Sequence, residues 1–228
     1  MLPPVITITR QYASGGSDVA RLVASQLEWT VVDNEFVDEV ARRAGLPVEE
    51  VAQREERAPG LLERLARTLA LASPEMFMAT ASASRVEQDE ATIVQVTERV
   101  IAEAAAQGRV VLVGRGAQAL LSPRPDALHV YVVAPKPWRV KQAIERLDVD
   151  PANADKVVDD TDHRRDRYVK TYYGRHRQDV ANYDLVLNTE KLGLDGAATV
   201  IVSEANRRRW GELDVRHQTS DVRLPYHP

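Results

Sequence analysis

Cysteine is absent from all 228 residues. That excludes disulfides, thiolate zinc sites and a cysteine nucleophile, and it fits a reducing compartment. No stretch approaches the ~18 consecutive apolar residues of a membrane span. The opening Met-Leu-Pro-Pro-Val-Ile-Thr-Ile-Thr-Arg has no basic start ahead of a long apolar run, so it reads as neither a signal peptide nor an anchor, and the cytoplasm is the expected location. Positive charge is not in surplus. A formal net charge of −4 argues against bulk attraction to nucleic acid and leaves anionic small molecules as the expected partners. His129, His163, His176, His217 and His227 show no metal-ligand spacing and no His-Glu-x-x-His pattern, so no chemistry is assigned to them.

What is present fits one folded domain. Hydrophobic residues make up 44% and charged residues 28%, a globular composition far from a disordered one. Short β-branched runs alternate with longer stretches of helical period, the pattern of an α/β domain with a mainly parallel sheet. Strands are predicted at Val5 to Thr9, Thr30 to Asp33, Arg109 to Val113, Leu128 to Val133 and Leu185 to Asn188. The run at 109–113 is almost continuously apolar, as in a strand buried on both faces.

Helices are predicted after the Ser14-Gly15-Gly16-Ser17 turn, from Asn34 to Gly45, through most of 45–107 with a stop at Gly108, from Trp138 to Leu147, and from about Asp195 to Arg209. Arg207-Arg208-Arg209 would complement the dipole at that last helix end. The domain is placed at 1–211, and the unpatterned stretch 212–228 reads as a tail.

A glycine-rich turn between a first strand and a first helix is where α/β proteins bind phosphate, because backbone N–H groups and the helix N-terminus converge there. Set against the Walker A pattern G-x-x-x-x-G-K-[ST], Gly15 matches the second glycine and Ser17 the hydroxyl position. Arg10 stands where the first glycine belongs, and Gly16 where the lysine belongs. The same four residues would also serve as a plain β-to-α turn.

Ile-Thr-Ile-Thr-Arg-Gln-Tyr-Ala-Ser-Gly-Gly-Ser at 6–17, followed by Val-Val-Asp at 31–33, resembles the start of the cytidylate kinase-like family. Val-Val-Leu-Val-Gly-Arg-Gly-Ala at 110–117 does so too. Asp162-His-Arg-Arg-Asp-Arg-Tyr168, leading to Tyr183-Asp-Leu-Val-Leu-Asn-Thr189, is similar to that family's lid and final strand. The pieces recur in order from about residue 5 to 205. The resemblance implies a five-stranded parallel P-loop kinase sheet flanked by helices, with a helical monophosphate-binding insertion at about 45–107 and an arginine-rich lid at about 148–180. Many members of this branch likewise show Ser-Gly-Gly in place of Gly-Lys.

The implied activity is transfer of the ATP γ-phosphate, with Mg2+ as cofactor, to a pyrimidine nucleoside monophosphate, CMP or dCMP first. A catalytically weak nucleotide-binding regulator and a small-metabolite kinase are the alternatives. Nucleotides are the implied partners, with a homo-oligomer through the helical insertion left open.

By the same resemblance Arg115 and Asp33 hold the acceptor, although Gly116 stands where those enzymes usually have Asp. Ser14, Gly15, Gly16, Ser17 and Arg139 are assigned to ATP, Ser17 and Asp33 to the metal, and Arg165, Arg167 and Arg10 to catalysis. Arginine suits such work because its planar fork binds phosphate oxygens in pairs and stays charged. Three bland readings remain beside these: for Arg115 a surface arginine capping the strand end, for Arg139 i,i+4 contacts, and for Arg164, Arg165 and Arg167 a solvated helix face paired with Asp162 and Asp166. Arg165 is expected to face solvent in an open cleft and to contribute little to the core.

Overall fold

The computed structural model describes residues 2–33, 84–114 and 116–210. The helices expected between residues 34 and 83, Arg115, and the tail lie outside them. In chain order the elements are β1 (Val5–Arg10), α1 (Gly16–Leu27), β2 (Thr30–Asp33), α2 (Ser84–Gln107), β3 (Val110–Val113), α3 (Ala117–Leu121) and β4 (Ala127–Val133). They continue with α4 (Lys136–Leu147), α5 (Ala154–Tyr173), a 3-10 turn (Val180–Asn182), β5 (Leu185–Asn188) and α6 (Thr189–Arg207).

The strands form one five-stranded sheet in the order β2-β3-β1-β4-β5, every pairing parallel. β1 is central and buried along its whole length. Its period of two divides the core. Ile6 and Ile8 pack with Val19, Val23, Val111, Val130 and Ile201 under α1 and α6. On the opposite face Val5 packs with Val110 and Leu112 against Ile101 of α2 and Leu121 of α3. Side chains alternate across a strand, so both faces must be apolar when both are covered by helices.

Several ends differ from expectation. Arg109 is left out of β3 because it takes a left-handed conformation, with φ 51°. Gly108 ends α2 as expected, with φ 69° and its N–H bonded to the Ala104 carbonyl at 3.1 Å. α4 starts two residues before Trp138, with Pro137 in its first turn, where a missing N–H costs nothing. α6 starts at Thr189 rather than near Asp195. Asn188 caps it by accepting from the Glu190 N–H at 3.0 Å, and Gly193 (φ 69°, ψ 173°) then breaks it after one turn. The five-residue α3 was not foreseen.

At the far end of α6 Glu204 accepts from Arg207 at 2.6 and 2.7 Å and from Arg208 at 2.7 Å. Those bonds, Arg207's first and then Arg208's, hold the Glu204 carboxyl down at about 2. A depressed folded pKa gives stability that is full above the unfolded value of 4.5 and lost as pH falls through about 2. Urea melts of the wild type and Glu204→Gln should therefore differ at pH 5 to 8 and converge as the pH approaches 2.

Candidate active site

Two neighbouring strands send the chain in opposite directions: β1 leads toward β2 on one side, and β3 leads toward β4 on the other. Ligands of open α/β sheets bind in the crevice outside the carboxyl ends at such a switch point. Here that crevice is a cleft of about 380 Å³ including its open mouth, lined by Thr9 and Arg10 from β1, Gly114 and Gly116 after β3, Gln118 and Ala119 of α3, and Arg165, Val169, Arg177 and Tyr183.

The turn beside it is braced from three directions. Gln11 donates its N–H to the Val132 carbonyl at 3.0 Å and accepts the Ala134 N–H on its side-chain oxygen at 3.0 Å. Ser14 is fully buried, and its hydroxyl donates to the Gln11 carbonyl at 2.8 Å. The Ser14 carbonyl accepts from Thr189 Oγ1 at 2.7 Å, so the start of α6 supports the turn from behind. Ala13 (φ 58°) and Gly15 (φ 78°) take left-handed conformations that fold the backbone into α1.

α5 meets this turn through Asp162. Its carboxylate accepts from the Tyr12 N–H at 2.9 Å, from Arg139 at 2.7 Å and from Arg177 at 3.3 Å. Arg139 is buried and also donates to the Ala134 carbonyl at 2.9 Å and the Tyr12 carbonyl at 3.0 Å. Arg139 is thus a strut between the turn and α5, and two of its three side-chain partners, Tyr12 and Asp162, are distant in sequence.

Arg165 is only 8% exposed. This corrects the expectation of a solvent-facing side chain: the α5 face carrying Val158, Asp162, Arg165 and Val169 is the inner one, and Arg165 donates to the Arg10 carbonyl at 3.2 Å. Arg164 and Arg167 are exposed on α5, outside the cleft lining.

Arg177, which the sequence reading did not single out, donates to the same Arg10 carbonyl at 2.8 Å and to Asp166 at 2.6 Å. Burial works against its charge, but Tyr131, Asp166 and Asp162 outweigh burial and hold its pKa above the ordinary value. Tyr183, whose hydroxyl donates to the Arg177 carbonyl at 2.7 Å, stacks on Tyr131 with centroids 4.9 Å apart; burial first of all pushes the Tyr183 phenol up to about 12. The only sequence signal for Arg177 is the density of arginines just after the helix-ending Gly174.

On the β2 side, Ser17 Oγ donates to Asp33 at 3.0 Å and Arg10 pairs with the same carboxylate at 3.1 Å. Among the described residues no group of three or more histidines or carboxylates could hold a metal ion. A hydroxyl and a single carboxylate are hard oxygen donors, and magnesium is commonly held by one or two such groups together with substrate phosphates. Ser17 and Asp33 therefore fit the ion. Gly114 and Gly116 flank Arg115 and have φ of 99° and 76°.

No helix among the described residues is long and apolar enough to cross a membrane.

The sequence pattern of the cytidylate kinase-like family matches residues 5–191. A cytidylate kinase of Staphylothermus marinus is 28% identical over 141 residues, which is 62% of this chain and 75% of that protein. Among solved structures, an uncharacterized protein from Eubacterium ventriosum aligns with a TM-score of 0.62 at 21% identity, covering 89% of this chain and 98% of that one. TT1252 from Thermus thermophilus aligns with a TM-score of 0.50 at 21% identity, covering 90% and 98%. These two likenesses show a shared fold. The family match spans the turn, the whole sheet and α5, so the chain belongs to the cytidylate kinase-like family and is a kinase-type enzyme.

Proposed function

We propose that this kinase moves the γ-phosphate of ATP to a nucleoside monophosphate, with CMP or dCMP as the first acceptor to try. The observation that carries the reading is the convergence of Arg10, Arg165 and Arg177 on one cleft at the carboxyl ends of β1 and β3, beside the glycine-rich turn. Phosphoryl transfer asks little covalent chemistry of a protein; it needs cations and N–H groups fixed around the transferred oxygens. Preorganisation is supplied by the Arg10 carbonyl, which Arg165 and Arg177 share, and by the Asp162 brace. Magnesium, bound with the nucleotide at Ser17 and Asp33, would neutralise charge on the phosphate oxygens. Val169 of α5 and Tyr183 line the cleft beside the arginines and would limit water there.

A panel of nucleoside monophosphates incubated with ATP and magnesium, read as ADP formation, tests this. Turnover is expected with a pyrimidine monophosphate and weaker turnover with purines. The replacement of lysine by Gly16 favours a second reading, a nucleotide-binding regulator. Saturable ATP binding with no turnover on any acceptor would select it.

A further inference from the structure

The two departures of the turn from the Walker A pattern are one exchange. Gly16 begins α1 and its backbone lies outside the left-handed region that demands glycine. Its lack of a side chain has another cause. A Cβ there would stand 2.5 Å from Arg10 Cβ and 3.1 Å from Arg10 Cγ, with the next neighbour, Val132 Cβ, at 3.4 Å. The stem of Arg10 occupies the room in which a side chain at position 16 would begin.

The head of Arg10 is equally built in. It is 6% exposed, and a Cβ on Gly114 would collide with its Nη1. Its Nη2 meets Asp33 at 3.1 Å, and the same carboxylate accepts from Ser17 Oγ at 3.0 Å. The guanidinium therefore lies within one carboxylate's width of the first turn of α1 while lining the cleft. Two glycines make room for it, one beside its stem and one beside its head.

We infer that Arg10 supplies, from the end of β1, the triphosphate-binding charge that a lysine at position 16 would supply from the start of α1. The ligand class is a nucleoside triphosphate, and the inference rests on the kinase reading above. Exchanging an ammonium for a guanidinium changes a compact point charge into a planar fork held in fixed orientation. Arg10 keeps one edge of that fork on Asp33, so the cation is oriented before the ligand arrives.

The test uses the full chain, with ATP as the probe, titrated with and without magnesium because Asp33 is also assigned to the ion. Removing Arg10 alone takes one cation from Asp33, so Asp33→Asn is the reference. Arg10→Gln in that background should weaken ATP binding by about 10-fold or more, the effect of losing one charge-assisted pair. Gly16→Ala should lower the melting temperature by roughly 5 °C through overpacking, and the loss should vanish when Arg10 is Gly, as coupled neighbours require. Gly16→Lys combined with Arg10→Gly should bind ATP within about 3-fold of wild type, and Arg10→Gly alone should not.

The inference fails under any of three results: Arg10→Gln/Asp33→Asn binds ATP as tightly as Asp33→Asn, Gly16→Ala costs the same with and without Arg10, or the exchanged pair binds no better than Arg10→Gly. A wild-type chain that does not bind ATP rejects the kinase reading, and this inference with it.

Discussion

Asp162→Ala should destabilise the protein by about 3–5 kcal/mol, because it takes the carboxylate from the buried Arg139 and one of two carboxylates from the buried Arg177. The side chains of Arg139 and Arg177 are 7% and 3% exposed, and that of Asp162 is 14% exposed, so water screens these pairs little. The Tyr12 N–H loses its acceptor in the same step. Asp162→Asn should cost less, since an amide oxygen still accepts. Urea unfolding with both mutants measures this. A loss below about 1 kcal/mol for Asp162→Ala would match a surface pair and reject the brace.

The second large effect is expected at Arg165. Its loss should lower kcat by about 10²-fold or more while moving the acceptor KM little, as for one preorganised donor acting on charge that develops in the transition state. Because Arg165 is buried against the Arg10 carbonyl and sits 5.7 Å over the Tyr12 ring, Arg165→Ala should also lower stability. Arg165→Lys keeps the charge and much of the packing, so folded Arg165→Lys with reduced kcat separates the two effects. An active enzyme whose kcat and KM both survive Arg165→Ala would remove this residue from the chemistry.

Much of the fold was legible because its signals are local. Val110 to Val113 is an unbroken apolar run and Val5 to Thr9 a β-branched one, both suited to a strand covered on both faces, and Gly15 and Gly108 mark turns by their backbone demands. The one-turn start of α6 was missed because Thr189 to Leu192 is too short for helical period to show; its cap, Asn188, was the available sign.

The site was less legible. Arg165 came from the resemblance, but its burial did not, since a charged residue on a helix reads as solvated unless its inward partners are known. Arg177 lies in a segment without period, and its value comes from chain folded back beneath Tyr131 and Tyr183. Arg139 and Asp162 stand 23 residues apart, so neither announces the other in sequence.

The inner face of α5 fixes how its length can change. Val158, Asp162, Arg165 and Val169 follow one another by four, three and four residues, the steps that return a helix to the same side. One residue inserted between Val158 and Asp162 would turn everything beyond it by about 100° relative to Val158. Either Val158 or the side chains beyond it would then leave the inner face. Gly174, by contrast, ends the helix with φ 65° and would meet nothing within 4 Å if it carried a Cβ. Related chains should therefore differ in length before Ala154 sooner than between Val158 and Arg177, whose bonds to the Arg10 carbonyl and Asp166 fix the chain just beyond Gly174.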